Sequence, residues 1–423
     1  MTTPSDNERS QHIQRRQIRH TFPLVVLLVL VTSAASWACT HKEAQQDQAQ
    51  QDAVTAPSNG TTAQPVAGSE VPYPTKNWPV FRGDSLARGV SGSTLPGELD
   101  VLWQKEYPKQ SFSAAAAVDD GAVYIGSMLG PFYAFNLADG GEKWVRNDLD
   151  SGFIAAASVK DGLVYVGDMY GMFYCLDAAN GETKWSFETL GEIDNGANFY
   201  QGNVIFGSQD AFLYCLNATT GEEVWKLQLA DQIRCFPSIV GNRTFVAGCD
   251  GELHVIDLDQ GKEIAKVQMR GPTGCSPAVL GDSLFVGNME HTFFKINWQT
   301  AEQEWTYQHP QRRFEYRSSA AVTNDVVIVG NQGKMVLGID PESGDEKWIH
   351  NTRAGVESSP VIASGRAYFG GIRGQLTALD VATGEEVWNY AAGGQFDASP
   401  IVADGKLIIG NADGTLYCFG GKQ

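Results

Sequence analysis

Four aspartates stand where a catalytic carboxylate or a cation ligand would be sought. Asp177, Asp257, Asp340 and Asp380 each end an apolar run, four residues ahead of a glycine or of the same small turn. A lone carboxylate in such a turn is raw material for general acid–base chemistry or calcium coordination. These are not lone. The arrangement returns down the chain once per repeat, and an Asx side chain at such a corner bonds the backbone N–H groups of its own turn. The aspartates therefore read as turn caps, and no catalytic residue is assigned.

Thiol and imidazole chemistry fare no better. The chain has seven cysteines. Cys175, Cys215 and Cys418 share one position of a repeated strand, and Cys235 and Cys275 share another. No Cys-x-x-Cys, vicinal pair or Cys/His cluster occurs, so they read as small apolar core residues. A Cys235–Cys275 bridge between adjacent repeats is the alternative. The histidines are scattered, with His254 and His291 in separate repeats, and neither a metal site nor a Ser/His/Asp arrangement can be assembled.

The elements that would position these residues follow one pattern. An aromatic strand leads to an Asx, then to a Gly, then to a Trp four residues on: Gly140–Trp144, Gly181–Trp185, Gly221–Trp225, Gly344–Trp348 and Gly384–Trp388. Gly261 is followed instead by Ala265, and Trp305 is preceded by Ala301. With Trp103 upstream, eight positions equivalent to the Trp succeed one another at spacings of 40 to 43 residues. Each unit offers four short strands with hairpin turns and no helical period. The first unit supplies only its fourth strand and the last only its first three. Those fragments complete one another if the ring closes, which also removes a free edge. The expected fold is all-β: an eight-bladed β-propeller of four-stranded antiparallel blades, with an amino-terminal strand completing the last blade.

The segment Ala378-Leu-Asp380-Val-Ala-Thr383-Gly384-Glu385-Glu-Val-Trp388 resembles the repeat of the pyrroloquinoline-quinone (PQQ)-like propeller family, over about residues 77–423. The resemblance implies that Trp103, Trp144, Trp185, Trp225, Trp305, Trp348 and Trp388 dock between blades, on the corners at Gly140, Gly181, Gly221, Gly261, Gly344 and Gly384. It also implies that Ala265 leaves one contact thinner. Quinone-dependent dehydrogenases of that family need a catalytic Asp, a calcium held by Glu, Asn and Asp, and often a vicinal disulfide. No such motif stands here, so neither PQQ nor a metal is expected, and the chain is read as non-enzymatic. It is more similar to the BamB-like outer-membrane assembly lipoproteins, which implies a scaffold that binds protein partners of a membrane protein-assembly complex. A small-molecule or carbohydrate-binding propeller is the alternative, and a PQQ-dependent dehydrogenase the second.

Ahead of the repeats, Arg9, Arg15, Arg16 and Arg19 flank an uncharged apolar run at 22–38. That is an export signal or membrane anchor, with Cys39 the lipidation candidate. Residues 1–39 are read as that signal or anchor, 40–76 as a Gln/Asp/Ala-rich tether, and the propeller as extracytoplasmic and monomeric. A net charge of −18 argues against nucleic acid.

The links between repeats carry the chain's own signature. Asp148, Asp150, Glu192, Asp194 and Asp231 occupy the early links; Arg234, Arg270, Arg312, Arg313, Arg317 and Arg353 occupy the later ones. A three-residue insertion sits in His309-Pro-Gln-Arg-Arg-Phe-Glu-Tyr-Arg317. The expectation is a face with one acidic and one basic half, on which Arg234, Arg312, Arg313, Arg317 and Arg353 meet a carboxylate-bearing partner.

Overall fold

The computed structural model describes residues 71–421. The signal or anchor segment, Cys39 and the tether up to residue 70 lie outside the described residues. Among the described residues no helix is long and apolar enough to cross a membrane.

Among the described residues, thirty-two strands form eight four-stranded antiparallel sheets, the blades. Blades 1 to 7 are built consecutively over 117–146, 158–188, 198–228, 238–268, 278–307, 321–351 and 361–391. Blade 8 takes three strands from 401–420 and its outermost from Asp100–Glu106, which pairs with Thr415–Gly420 so that Trp103 faces Cys418. The ring closes as the spacing predicts.

Burial follows from position in the blade. The third strands are covered on both faces by neighbouring blades, so Met172–Asp177 reads as a continuous buried run from Phe173 to Leu176. The outermost strands have water on one side; Thr183–Glu188 alternates exposed and half-buried residues. Each Trp stands opposite a third-strand residue, and that partner is small in most blades: Ala134, Cys175, Cys215, Gly338, Ala378 and Cys418. A Cβ added at Gly338 would lie 2.2 Å from the Trp348 ring. The cysteines of this position thus make room for indole, and all five described in the interior are free thiols, Cys235 and Cys275 among them. No bridge joins that pair.

The corners dock as expected. The indole N–H groups of Trp103, Trp144, Trp185, Trp225, Trp305 and Trp348 donate across to Leu137, Ala178, Ala218, Leu258, Pro341 and Val381 carbonyls at 3.0–3.1 Å. Each ring lies flat on the glycine corner of the next blade. At Gly221, where φ is +75°, a Cβ would come within 2.6 Å of the Trp185 ring.

Two positions depart from the rule. Trp388 meets no such corner, because the last two strands of blade 8 are not joined by a turn; its ring packs at 5.8 Å on Phe419. At Ala265, where the sequence suggests a thinner contact, an indole is supplied from the other side instead. The facing corner is Ala301 instead of Gly, and Trp298 at that corner reaches back to Phe245 at 5.7 Å, donating its N–H to the Gly281 carbonyl at 3.0 Å. Phe245 is the counterpart of Tyr165 and Phe285, which pack on their own blades' Trp185 and Trp305.

Candidate binding site at the channel mouth

The stretch 75–91 follows no repeat, and it does the most to shape the centre of the ring. It runs across one end of the channel and bonds the innermost strand of every blade. Trp78 pairs with Val118, and the Pro79, Ser85, Leu86, Arg88 and Gly89 carbonyls accept from Val159, Ile239, Val279, Val322 and Ile362 N–H groups. The Ser85 carbonyl also accepts from Asn198, and that of Thr75 from Asp404 N–H. Residues 71–76, read from composition as the end of the tether, belong to this plug: Val71 O accepts from Arg88 and the Tyr73 ring lies 4.2 Å from its guanidinium.

The plug carries charge into the interior. Asp84 and Arg88 form a buried ion pair at 2.8 Å, with Asp84 also capping Leu86 N–H. Arg82 is 1% exposed, and its Nη2 donates to the Ala320 and Pro360 carbonyls at 3.0 and 2.5 Å. Its Nε and Nη1 have no partner among the described residues. Burial lowers the Arg82 pKa to about 9, against the opposing pull of Asp84. Gly89, at φ +66°, lets the guanidinium approach closely; a Cβ there would sit 1.8 Å from Arg82 Nη2.

Above the plug the repeat places two rings of side chains around the lumen. The inner ring, at positions 115, 156, 196, 236, 276, 319, 359 and 399, changes character halfway round. Ala115, Ala156, Gly196 and Phe236 form an apolar arc, with Phe236 6.0 Å from Phe81 of the plug. Ser276, Ser319, Ser359 and Ser399 form the other arc, each hydroxyl accepting an N–H from the blade before it at 2.9 Å. Two residues earlier in each blade lies the outer ring, or collar: Ser113, Ile154, Asp194, Arg234, Gly274, Arg317, Glu357 and Asp397. All of them but Phe236 and Arg234, with Phe81 and Asn195, line a cavity of about 170 Å³ on the side of the interblade links.

The collar is where the link charges divide. Asp194 is buried and pairs with Arg234 at 2.8 Å, with Gln209 at 3.1 Å. Desolvation raises the Asp194 pKa all the same, and it raises that of neighbouring Glu192. Arg317 pairs with Glu315 at 2.7 Å. Glu357 accepts from Gln332 at 2.5 Å, while Asp397 has no ion-pair partner; burial, with Glu357 beside it, pushes its pKa up to about 6.

The five arginines singled out by the sequence therefore separate. Arg234 and Arg317 point into the channel and are paired there. Arg312, Arg313 and Arg353 are exposed on the link face, Arg312 donating to Asn351 at 3.3 Å. The acidic and basic halves are not separate at the collar, because Asp194 and Arg234 neutralise one another across their boundary. Asp397 and Glu357 escape a reading by link charge, but the forty-residue count that finds the tryptophans finds the collar too.

The link face also carries apolar residues that charge-counting overlooks. Leu129, Tyr170, Leu190 and Phe314 are 64%, 76%, 93% and 40% exposed, all on links or second-to-third-strand turns. The other large exposed apolar residues, Val224, Ile264 and Val387, lie on outermost strands. Two cavities of about 760 and 560 Å³ open on the opposite face, between residues 71–76 and the first hairpins of blades 2 to 6. The roomier hollows are thus not at the mouth, where propeller pockets are usually sought.

Asp250, Glu252 and His254 bring their ligand atoms within 4.8 Å of one another. Each is already engaged within blade 4: His254 with Asp250 at 2.8 Å and Glu263 at 3.3 Å, and Glu252 with Lys266 at 2.9 Å. Burial opposes charge on His254, but the two carboxylates outweigh it and hold its pKa above the ordinary value. Tyr214 and Asp210 make the equivalent pair in blade 3 at 2.8 Å.

A family profile described as outer membrane protein assembly factor BamB matches residues 100–232, 209–359 and 350–422. No curated protein matches by sequence. Among solved structures, BamB from Moraxella catarrhalis is 16% identical with a TM-score of 0.67, covering 77% of this chain and 98% of its own. Quinohemoprotein alcohol dehydrogenase from Comamonas testosteroni is 14% identical with a TM-score of 0.69, covering 82% and 81%. A europium-containing methanol dehydrogenase is 12% identical with a TM-score of 0.71, covering 82% and 98%. At these identities the likeness shows the fold.

Proposed function

The chain belongs to the family of the outer membrane protein assembly factor BamB, and on that premise we propose that it is a non-catalytic, envelope-tethered scaffold that docks a protein partner on its link face. The observation that carries the reading is the exposure of Leu129, Tyr170 and Leu190 on consecutive blades of that face, with Phe314 on the blade 5–6 link across the ring. Exposed aromatic and aliphatic side chains gathered on one surface, rimmed by charge, mark protein-binding sites. Arg312, Arg313 and Arg353 supply the rim on one side, where charge steers approach and sets orientation. The partner is a component of a membrane protein-assembly complex. The basic flank and apolar run ahead of Cys39 support an extracytoplasmic location, with Cys39 the lipid attachment point.

A quinone cofactor is not part of this reading, because the residues do not fit one. A cavity of about 170 Å³ falls below the roughly 300 Å³ at which ligand pockets begin. The plug closes one end of the axis, and Asp194 and Arg234 of the collar are spent on each other.

The test is site-specific photocrosslinking in native membranes from Tyr170 and Leu190, with Val224 on an outermost strand as control. Adducts with an assembly-complex component from the first two positions, lost when Arg312 and Arg313 are reversed to Glu, are expected. Equal labelling from Val224, or no adduct from either link position, would overturn the reading.

A further inference from the structure

On blades 1 to 3 the exposed apolar side chains sit on loops that touch one another. Gly152, in the link between blades 1 and 2, is wedged between two turns: a Cβ there would lie 2.0 Å from the Met128 carbonyl oxygen and 3.0 Å from Met169 Sδ. Gly171 is pressed against the next link in the same way, with the Gly191 and Thr189 carbonyls 2.7 and 2.9 Å from where its Cβ would be. Met128, Leu129, Met169, Tyr170 and Leu190 thus belong to one band. Its far end is held firmly although Leu190 is 93% exposed. The buried Thr189 hydroxyl lies 2.9 Å from both the Gly171 and Gly191 carbonyls, and Leu190 N–H donates to Asp210 at 2.9 Å. A tip presented on fixed backbone costs little ordering when a partner arrives.

The electrostatics of the band are one-sided. The links and second-to-third-strand turns between residues 147 and 233 hold no Lys or Arg. Asp150 and Glu188 are exposed, two residues from Gly152 and Leu190 respectively, and neither has an ion-pair partner among the described residues. Asp210 holds Leu190 N–H and the Tyr214 hydroxyl but no cation. Arg146, at the end of blade 1, is spent on Asp148 at 2.7 Å.

We propose that this band docks a polypeptide segment in which apolar residues are interleaved with Lys or Arg. The inference rests on the scaffold reading and adds the chemistry of the partner on this half of the face. Apolar side chains of the segment pack on Tyr170, Leu190 and the adaptable methionines. Its cations meet Asp150, Glu188 and Asp210, which lack cations of their own. An acidic segment or an anionic lipid surface would set like charge against like.

The full chain is titrated at physiological ionic strength with a dye-labelled peptide of alternating Leu and Lys, and with its Leu/Glu counterpart, read by fluorescence anisotropy. Saturable binding of the Leu/Lys peptide alone is expected. Asp150→Asn with Glu188→Lys should weaken it at least about tenfold, the effect of 1.4 kcal/mol. Asp161→Asn with Asp325→Lys makes the same charge change on exposed first hairpins of blades 2 and 6, on the opposite face, and should leave the affinity unchanged. Leu190→Ser changes no charge and should also weaken binding. Equal binding of the two peptides, equal loss from both charge pairs (attraction to net charge alone), or undiminished affinity in Leu190→Ser would each overturn the proposal. If Tyr170 and Leu190 still form adducts in membranes, such a result removes only the partner's chemistry; loss of the adducts removes the scaffold reading itself.

Discussion

His254 shows how one residue can suggest a site and serve a turn. Its position is held in blade 3 by Tyr214, which donates to Asp210 as His254 bonds Asp250. Asp250 also caps the Glu252 N–H at 3.1 Å, so the pair closes a hairpin. The consequence is a pH dependence that the tyrosine version lacks. Because the folded pKa of His254 is raised, the stabilisation is complete below the unfolded value, roughly pH 6.5. It is lost as pH rises through the folded value. The thermal midpoint should therefore fall between about pH 6 and pH 9 in the parent chain, and His254→Tyr should flatten that fall while keeping the hairpin's hydrogen bond. Equal slopes in calorimetric scans of the two proteins would reject the assignment. The sequence alone sets His254 aside for lack of a partner histidine. It does not reveal the Asp250 contact, which depends on the hairpin between their two strand ends.

At the scale of elements, the blade corner is a two-residue device, and the chain contains its own control. Where the fourth-strand Trp becomes Ala265, the facing glycine becomes Ala301, and Trp298 supplies the indole from the other blade. Removing Trp185 should cost about 2–4 kcal/mol, since the ring is only partly buried. Gly221→Ala should cost a comparable amount, because its Cβ would meet that ring at 2.6 Å with φ at +75°. Once the ring is gone, only the backbone part of the second cost remains. The double variant should thus lie at least about 1 kcal/mol short of the sum. Urea denaturation of the four proteins closes the cycle; strict additivity would mean that the ring and the glycine do not constrain each other. Corners of this kind were legible because they recur. The plug was not legible for the opposite reason: its fifteen-odd residues occur once, have no period, and gain their meaning from strands 40 to 330 residues away. The Trp78-Pro-Val-Phe-Arg-Gly-Asp84 sequence does not show that Arg82 ends up buried in the plug. For the same reason a reading by link charge put Arg234 and Arg317 on the surface, when their ring position turns them inward.

For the whole molecule the decisive contact is the one between its two ends. Seven blades are hairpin-linked throughout, so each can pair its strands locally; blade 8 must recruit Asp100–Glu106 from about three hundred residues away. That order makes closure a late, non-local step, slow relative to blade formation. It also leaves a specific hazard. Without Asp100–Glu106, the strand Thr415–Gly420, with Leu416, Tyr417, Cys418 and Phe419 all buried in the closed ring, becomes an unpaired apolar edge. Trp103 would leave with the missing strand, and the Gly140 corner would lose its cover at the same time. A chain lacking residues 71–106 removes the plug as well, so the informative variant keeps the plug and replaces 100–106 with a Gly/Ser linker of equal length. Its expected behaviour is association through the exposed edge, seen as larger particles than the parent in size-exclusion chromatography with light scattering. A synthetic peptide spanning 98–107 should compete for that edge and return the variant to the parent's size. If the linker variant matches the parent in size and thermal midpoint without the peptide, closure by this strand does not hold the ring, and the plug's contacts with all eight innermost strands must carry that role instead.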